Sequence, residues 1–177
     1  MQPDQRLKEE YNQLQCDGKP DVKEYIHSFP ISRGKVEGLI LVGLLATGAF
    51  DLVMYADTAI TGLPLEIPSV LGKLALGESQ FAEPVGRLIH VGNGIGLALI
   101  FGLVALPVST RIAKLPSIIY GIAFAIIELV IAVWFGMLPA LGAGVAGINI
   151  GPEVAVVTLL RHVAFGAVIG LLVRRWK

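Results

Sequence analysis

Charged residues and cysteine are both scarce in this 177-residue sequence. Only 16% of its residues are charged, whereas a soluble domain carries about 25%. The 14 basic and 14 acidic residues cancel, which argues against a nucleic-acid binder. One cysteine excludes a disulfide scaffold and a cysteine pair for metal or redox chemistry. Apolar residues are plentiful instead, at 54% of the chain with a mean hydropathy of +0.72.

Four apolar segments are each long enough to cross a bilayer as a helix, which takes about 20 mostly apolar residues. They lie at about 36–60, 85–106, 117–138 and 154–173. Strands are not expected, because the apolar runs are continuous rather than alternating. The sequence therefore predicts an all-α integral membrane protein with four transmembrane helices, whose surroundings are the lipid bilayer.

The basic residues are distributed unevenly along the chain. Eleven of the fourteen fall in residues 1–35, in the loop 107–116 or in the last four residues. Because Lys and Arg concentrate in cytoplasmic segments, we expect both termini in the cytoplasm, in an inner or plasma membrane. Residues 1–35 contain twelve charges, so they do not resemble a signal peptide. We expect a polar cytoplasmic segment there, either with a short interfacial helix or as a partly ordered tail.

The second and fourth spans share a short pattern. The second reads LIHVGNGIGLAL from Leu88 and the fourth reads LRHVAFGAVIGL from Leu160, so that His90 aligns with His162. This similarity predicts two helical hairpins, 36–106 and 117–177 with its basic tail, joined by the cytoplasmic loop 107–116. Since each hairpin begins on the same side, the repeat is parallel, with a pseudo-two-fold axis along the membrane normal.

Ionisable side chains within the spans are the strongest functional signal, because each costs a few kcal/mol or more at the bilayer centre. Counting 1.5 Å per residue places most of them in the non-cytoplasmic half of the membrane. Asn93 shares a helix face with the first histidine. The candidate polar cluster, or ligand site, consists of His90, His162, Asp51, Glu128, Arg87, Arg161 and Asn93.

Two interpretations of this cluster need no cofactor. In one, His90 and His162 are neutral hydrogen-bond partners of Asp51, of Glu128 or of backbone carbonyls, and they join the helices. In the other, the same four residues move protons or a small solute. Four helices leave little room for a pore, so such a transporter is expected to be oligomeric.

Two further interpretations involve a bound group. His90 and His162 could be the axial ligands of a haem b, with Arg87 or Arg161 pairing with its propionates. Alternatively, the two histidines and a carboxylate could bind a metal ion, although no H-x-x-E-H, E-x-x-H or H-E-x-x-H spacing occurs. Gly92, Gly94 and Gly96 form G-x-G-x-G inside a span, without the strand that a nucleotide-binding fold requires.

The loop between the first two spans has its own pattern. Residues 63–68 read as a turn, and residues 69–77 as a short amphipathic helix on the outer surface, which Ser69 is placed to cap. The stretches from Gly62 to Gly77, Gly86 to Gly94 and Arg161 to Gly170 resemble a group of small, uncharacterised prokaryotic four-span membrane proteins. In that group the second and fourth spans open with a histidine. The resemblance covers about residues 38–173; it implies the fold and no established chemistry.

The sequence has no catalytic constellation with a defensible spacing, so we expect a protein that is not an enzyme. The leading hypothesis is a structural or accessory subunit of a membrane complex, associated with other membrane subunits or with copies of itself. The alternatives are a haem b electron-transfer protein and an oligomeric transporter.

Overall fold

The computed structural model describes residues 32–173 of the chain. In order, its elements are α1 (Arg33–Thr61), α2 (Ile67–Leu76), α3 (Ala82–Ile112), α4 (Ser117–Ala140) and α5 (Glu153–Val173), with a 3-10 turn before α5. The predicted N-terminal helix, Cys16 and the basic residues of the C-terminal tail lie outside the described residues.

Four of these helices, α1, α3, α4 and α5, are long and apolar enough to cross a membrane. The prediction of an all-helical chain with four membrane-spanning helices is confirmed at this level. Two helices are longer than the apolar runs suggested. The helix α1 begins at Arg33, and α3 extends through Pro107 to Ile112, because helical hydrogen bonding continues past the end of the apolar segment.

Large apolar side chains cover the outer surface of the helices. Leu52, Ile60 and Leu88 are each more than 70% exposed, and Ile131 is 67% exposed. In water such a surface is unfavourable, whereas a bilayer solvates it. This surface is consistent with a membrane protein.

Glycines set the distance between neighbouring helices. The helix α1 packs on both α3 and α5, and α5 packs in turn on α4. A Cβ at Gly43 of α1 would lie 2.7 Å from Ile95 Cα of α3, and one at Gly166 of α5 would lie 2.6 Å from Gly121 O of α4. Small residues at these crossings let the backbones approach closely, which is the usual device in membrane bundles.

The helices α3 and α4 are the neighbours that do not pack along their length. Their contacts within the described chain concentrate near the short connection between them, where Phe101 packs on Phe124. Away from this end a gap separates the two helices, and it positions the site described below.

The short helix α2 lies against the start of α3. It begins at Ile67, with Glu66 preceding it and no side chain capping its amide groups. The prediction that Ser69 caps this helix is therefore wrong, because Ser69 already lies in its first turn. Pro68 there needs no amide hydrogen-bond partner, which explains the earlier start.

Gly166→Ala tests the close crossing of α4 and α5. The added Cβ would lie 2.6 Å from Gly121 O and 2.8 Å from Ile122 Cα, so we expect a loss of about 1–3 kcal/mol from overpacking. Gly96→Ala is the matched control, since nothing lies within 4 Å of its Cβ position. Unfolding in micelles, followed by circular dichroism, compares the two; equal stabilities would contradict the packing described.

Candidate functional site

A fully buried arginine joins three segments of the chain. Arg161 of α5 has no exposed surface. Its Nε donates to Asp57 Oδ2 at 2.7 Å, its Nη2 donates to Asp57 Oδ1, and its Nη1 donates to Leu65 O at 2.7 Å. This bidentate geometry satisfies the guanidinium with a carboxylate and a carbonyl. It fixes the end of α1 and the following loop against α5.

The two predicted intramembrane histidines each lie beside a carboxylate. His90 Nε2 of α3 is 2.9 Å from Asp51 Oδ1 of α1. His162 Nε2 of α5 is 3.1 Å from Glu128 Oε2 of α4. The first pair therefore links α1 to α3 and the second links α4 to α5, and the four side chains are mostly shielded from the surface.

A hydrogen bond to a backbone carbonyl fixes the position of one hydrogen on the His162 ring. His162 Nδ1 lies 2.7 Å from Thr158 O, and a carbonyl only accepts, so Nδ1 carries a hydrogen. The other ring nitrogen, Nε2, lies 3.1 Å from Glu128 Oε2. The histidine and the carboxylate therefore shield each other's polar atoms, which suits a membrane interior.

Phe50 of α1 lies between the two histidines. Its ring centroid is 5.1 Å from that of His90 and 5.2 Å from that of His162, with interplanar angles of 60° and 81°. Edge-to-face contacts of this kind are favourable for aromatic rings. The two imidazole centroids are consequently at most 10.3 Å apart, the sum of the two distances.

A cleft of about 250 Å³ adjoins both histidine–carboxylate pairs. All five helices contribute to its walls. Its polar lining is His90, Asn93, Glu128, His162 and Thr47. The apolar lining includes Phe50, Phe165, Leu71, Leu97 and Met137. Because the cleft lies where α3 and α4 do not pack together, it is a gap in the helix bundle.

A π-helical segment shapes the α4 wall of the cleft. Residues Leu129–Met137 have π-helical hydrogen bonding, and Glu128 and Met137 both line the cleft. Nine residues make about two and a half turns of α-helix, which would place the two side chains on opposite faces. The wider i→i+5 turns complete about two turns over the same stretch, so both side chains face the cleft.

The two other candidate residues belong to neither pair, and only Asn93 lines the cleft. Arg87 is partly exposed, donates from Nη2 to Tyr55 Oη at 3.2 Å and lies 3.7 Å from Glu83 Oε1. Asn93, one turn after His90, is exposed and lines the cleft. The structure thus brings His90, Asn93, Glu128 and His162 to one cleft, with Asp51 behind His90, whereas Arg161 belongs to the separate buried ion pair.

The observed arrangement does not fit an axial haem site. His162 Nδ1 is hydrogen-bonded to Thr158 O and its Nε2 lies 3.1 Å from Glu128 Oε2, while His90 Nε2 is hydrogen-bonded to Asp51. Arg161 is held by Asp57 and is not available for a propionate. Within residues 32–173, no group of three or more His, Cys, Asp or Glu side chains is arranged to hold a metal ion.

Comparison with known proteins gives a family and no chemistry. The model of a family of unknown function (DUF6789) matches residues 35–177. The chain belongs to the DUF6789 family. No curated protein and no solved structure matches it. Membership of a family of unknown function agrees with the resemblance to an uncharacterised group, while a shared histidine in that group stays a prediction.

Several residues that shape the site in this DUF6789 protein escape the sequence analysis. Asp57 is absent from the predicted cluster, although Arg161, an arginine in an apolar run, requires an acidic partner. Phe50 reads as an ordinary apolar residue. Thr158 accepts from Trp134 Nε1 at 3.0 Å while its carbonyl accepts from His162; no sequence signal distinguishes it from other threonines in spans.

Asp57→Asn tests the buried ion pair. It leaves the Arg161 guanidinium buried without a counter-charge, for which we expect a loss of about 3–5 kcal/mol in the free energy of unfolding. Glu78→Gln is the control, because it breaks an exposed pair with Lys73, and such pairs contribute about 0–1 kcal/mol. Denaturant unfolding in micelles measures both. Equal stability of the two variants would show that Arg161 does not depend on Asp57.

Proposed function

We propose that this protein is a non-enzymatic component of the cell membrane, accessory to other membrane proteins, that holds a small lipophilic molecule in its cleft. The cleft is the observation that carries the proposal. It combines apolar and aromatic walls with a few polar groups, which is the usual composition of a ligand pocket. Its volume of about 250 Å³ is near the lower end of such pockets, so the ligand is small.

The position of the cleft supports entry from the bilayer. The flanking helices α3 and α4 do not pack along their length within the described chain, and Asn93 and Leu74 at its edge are exposed. A molecule dissolved in the lipid therefore reaches the cleft sideways, without crossing the bundle from either aqueous side.

The proposed hairpin repeat explains why the cleft lies there. Asp51 pairs with His90 in the first hairpin, and Glu128 pairs with His162 in the second. Under a pseudo-two-fold relation, the packing of α1 on α5 would have a counterpart in α4 packing on α3. The first contact is extensive and the second is not. The cleft occupies the place of the missing contact.

The accessory role and the orientation belong to the same proposal. Gly92 and Gly96 of α3 face open space, and small residues four apart suit close contact with another membrane helix, from a partner subunit or a second copy of the chain. We place both termini in the cytoplasm because eleven of the fourteen basic residues then lie on that side.

A cleft-filling substitution tests ligand binding. Ala132 lines the cleft, so Ala132→Phe occupies the space of a small ring. Bromobenzene serves as a generic lipophilic probe. We measure how much more bromobenzene enters nanodiscs that contain the protein than enters empty nanodiscs. This difference should saturate at about one molecule per chain. We expect Ala132→Phe to weaken that binding about tenfold or more, since the added ring takes up the space of the probe.

Ala123→Phe is the matched control for this experiment. Ala123 lies on an exposed face of α4 and is not part of the cleft lining, so the same added ring should leave bromobenzene binding unchanged. Partition that never saturates, or that Ala132→Phe leaves intact, would contradict a ligand-binding cleft.

A further inference from the structure

The geometry points to a neutral aromatic ring with hydroxyl groups on opposite edges, a hydroquinone carried on an apolar tail, as the occupant of the cleft. This inference rests on the proposed ligand-binding function and adds the chemical class of the ligand. It follows from the size of the cleft, from its aromatic walls, from its charge, and from the hydrogen-bonding groups that α3 and α4 contribute.

The size and the walls select a single flat ring. A volume of about 250 Å³ has no room for a haem macrocycle or for two acyl chains, whereas it accommodates one six-membered ring with small substituents. Phe50 and Phe165 both line the cleft, and aromatic side chains gain from edge and offset contacts with another ring. Aliphatic Leu71 and Leu97 complete the apolar part of the wall.

The α4 side of the cleft offers a hydrogen-bond acceptor. Glu128 Oε2 lies 3.1 Å from His162 Nε2, and no described residue hydrogen-bonds Glu128 Oε1. Paired with the histidine as a carboxylate, Glu128 accepts hydrogen bonds through Oε1 and does not donate them. The matching ligand group is therefore a donor, such as a hydroxyl.

The α3 side of the cleft offers an amide. Asn93 makes no hydrogen bond with any described residue, although it lies within a span. An unpartnered amide in an apolar medium is costly, so a ligand that hydrogen-bonds it is favoured. The amide both donates and accepts, which suits a second hydroxyl on the opposite edge of the ring.

Charge favours a neutral ligand. Each histidine lies beside a carboxylate, so any positive charge on the ring is balanced by the neighbouring acid. The cleft therefore offers no unpaired cation to an acidic headgroup. A fatty acid or a phosphate would instead bring a negative charge towards Glu128 and Asp51, which is unfavourable in a low-dielectric medium. An alkyl tail on the ring would leave through the gap between α3 and α4 into the lipid.

The test compares ligands that share a tail and differ in the ring. Decylhydroquinone, decylbenzoquinone and decylbenzene are each partitioned, without oxygen, between nanodiscs with and without the protein, and the bound fraction is measured by chromatography. We expect decylhydroquinone to bind at about one molecule per chain, at least about tenfold more tightly than decylbenzene, since two hydrogen bonds are lost without the hydroxyls. The quinone should bind more weakly than the hydroquinone, because its carbonyls cannot donate to Glu128.

Two variants assign the contacts. Asn93→Leu keeps a side chain of similar size and removes the amide that would hydrogen-bond the ligand. It should therefore weaken decylhydroquinone binding several-fold and leave decylbenzene binding unchanged. Ala132→Phe should weaken both ligands, and Ala123→Phe neither.

The outcomes separate the inference from the proposed function. Saturable binding of decylbenzene as tight as that of decylhydroquinone, lost in Ala132→Phe, would leave the ligand-binding cleft standing and overturn the hydroquinone assignment. Quinone binding equal to or tighter than hydroquinone binding would overturn it as well. Absence of any saturable, cleft-dependent binding would contradict both.

Discussion

The structure depends on the cost of keeping ionisable groups inside an apolar medium. Arg161 shows it most plainly, because a guanidinium with no exposed surface is tolerable only with full hydrogen bonding. Asp57 and the carbonyl of Leu65 supply it. The same constraint acts on His90 and His162, each of which lies beside a carboxylate from a neighbouring helix. These polar contacts join α1 to α3 and α5, and α4 to α5, alongside the close glycine crossings of the same helices.

The sequence predicted the spans well, and their contacts only in part. Apolar length alone located α1, α3, α4 and α5 within a few residues. The cost of ionisable groups in lipid singled out His90 and Glu128 as candidates. The partner of Arg161 lies 104 residues away, so only the packed structure identifies it. The sequence also does not predict the π-helical hydrogen bonds after Glu128, because an all-apolar stretch carries no periodicity that distinguishes a π-helix from an α-helix.

The polar side chains therefore both join the helices and line the cleft. They join α1 to α3 and α4 to α5, and several of them line the gap that α3 and α4 leave between them. The π-helical segment turns Glu128 and Met137 towards this gap, and Phe50 sets the spacing of the two imidazoles. The retained space beside two protonatable pairs is the reason to look for a ligand there.

The Phe50 ring contacts two imidazoles that each lie beside a carboxylate, and the shape of the cleft depends on this contact. Solid-state NMR of the protein in bilayers, with ¹⁵N-labelled histidine and ¹³C-labelled phenylalanine, tests it directly. We expect through-space cross-peaks from the Phe50 ring to both His90 and His162, lost together in Phe50→Leu, and a hydrogen on His162 Nδ1. Cross-peaks to one imidazole only, or a His162 Nδ1 without hydrogen, would contradict the arrangement.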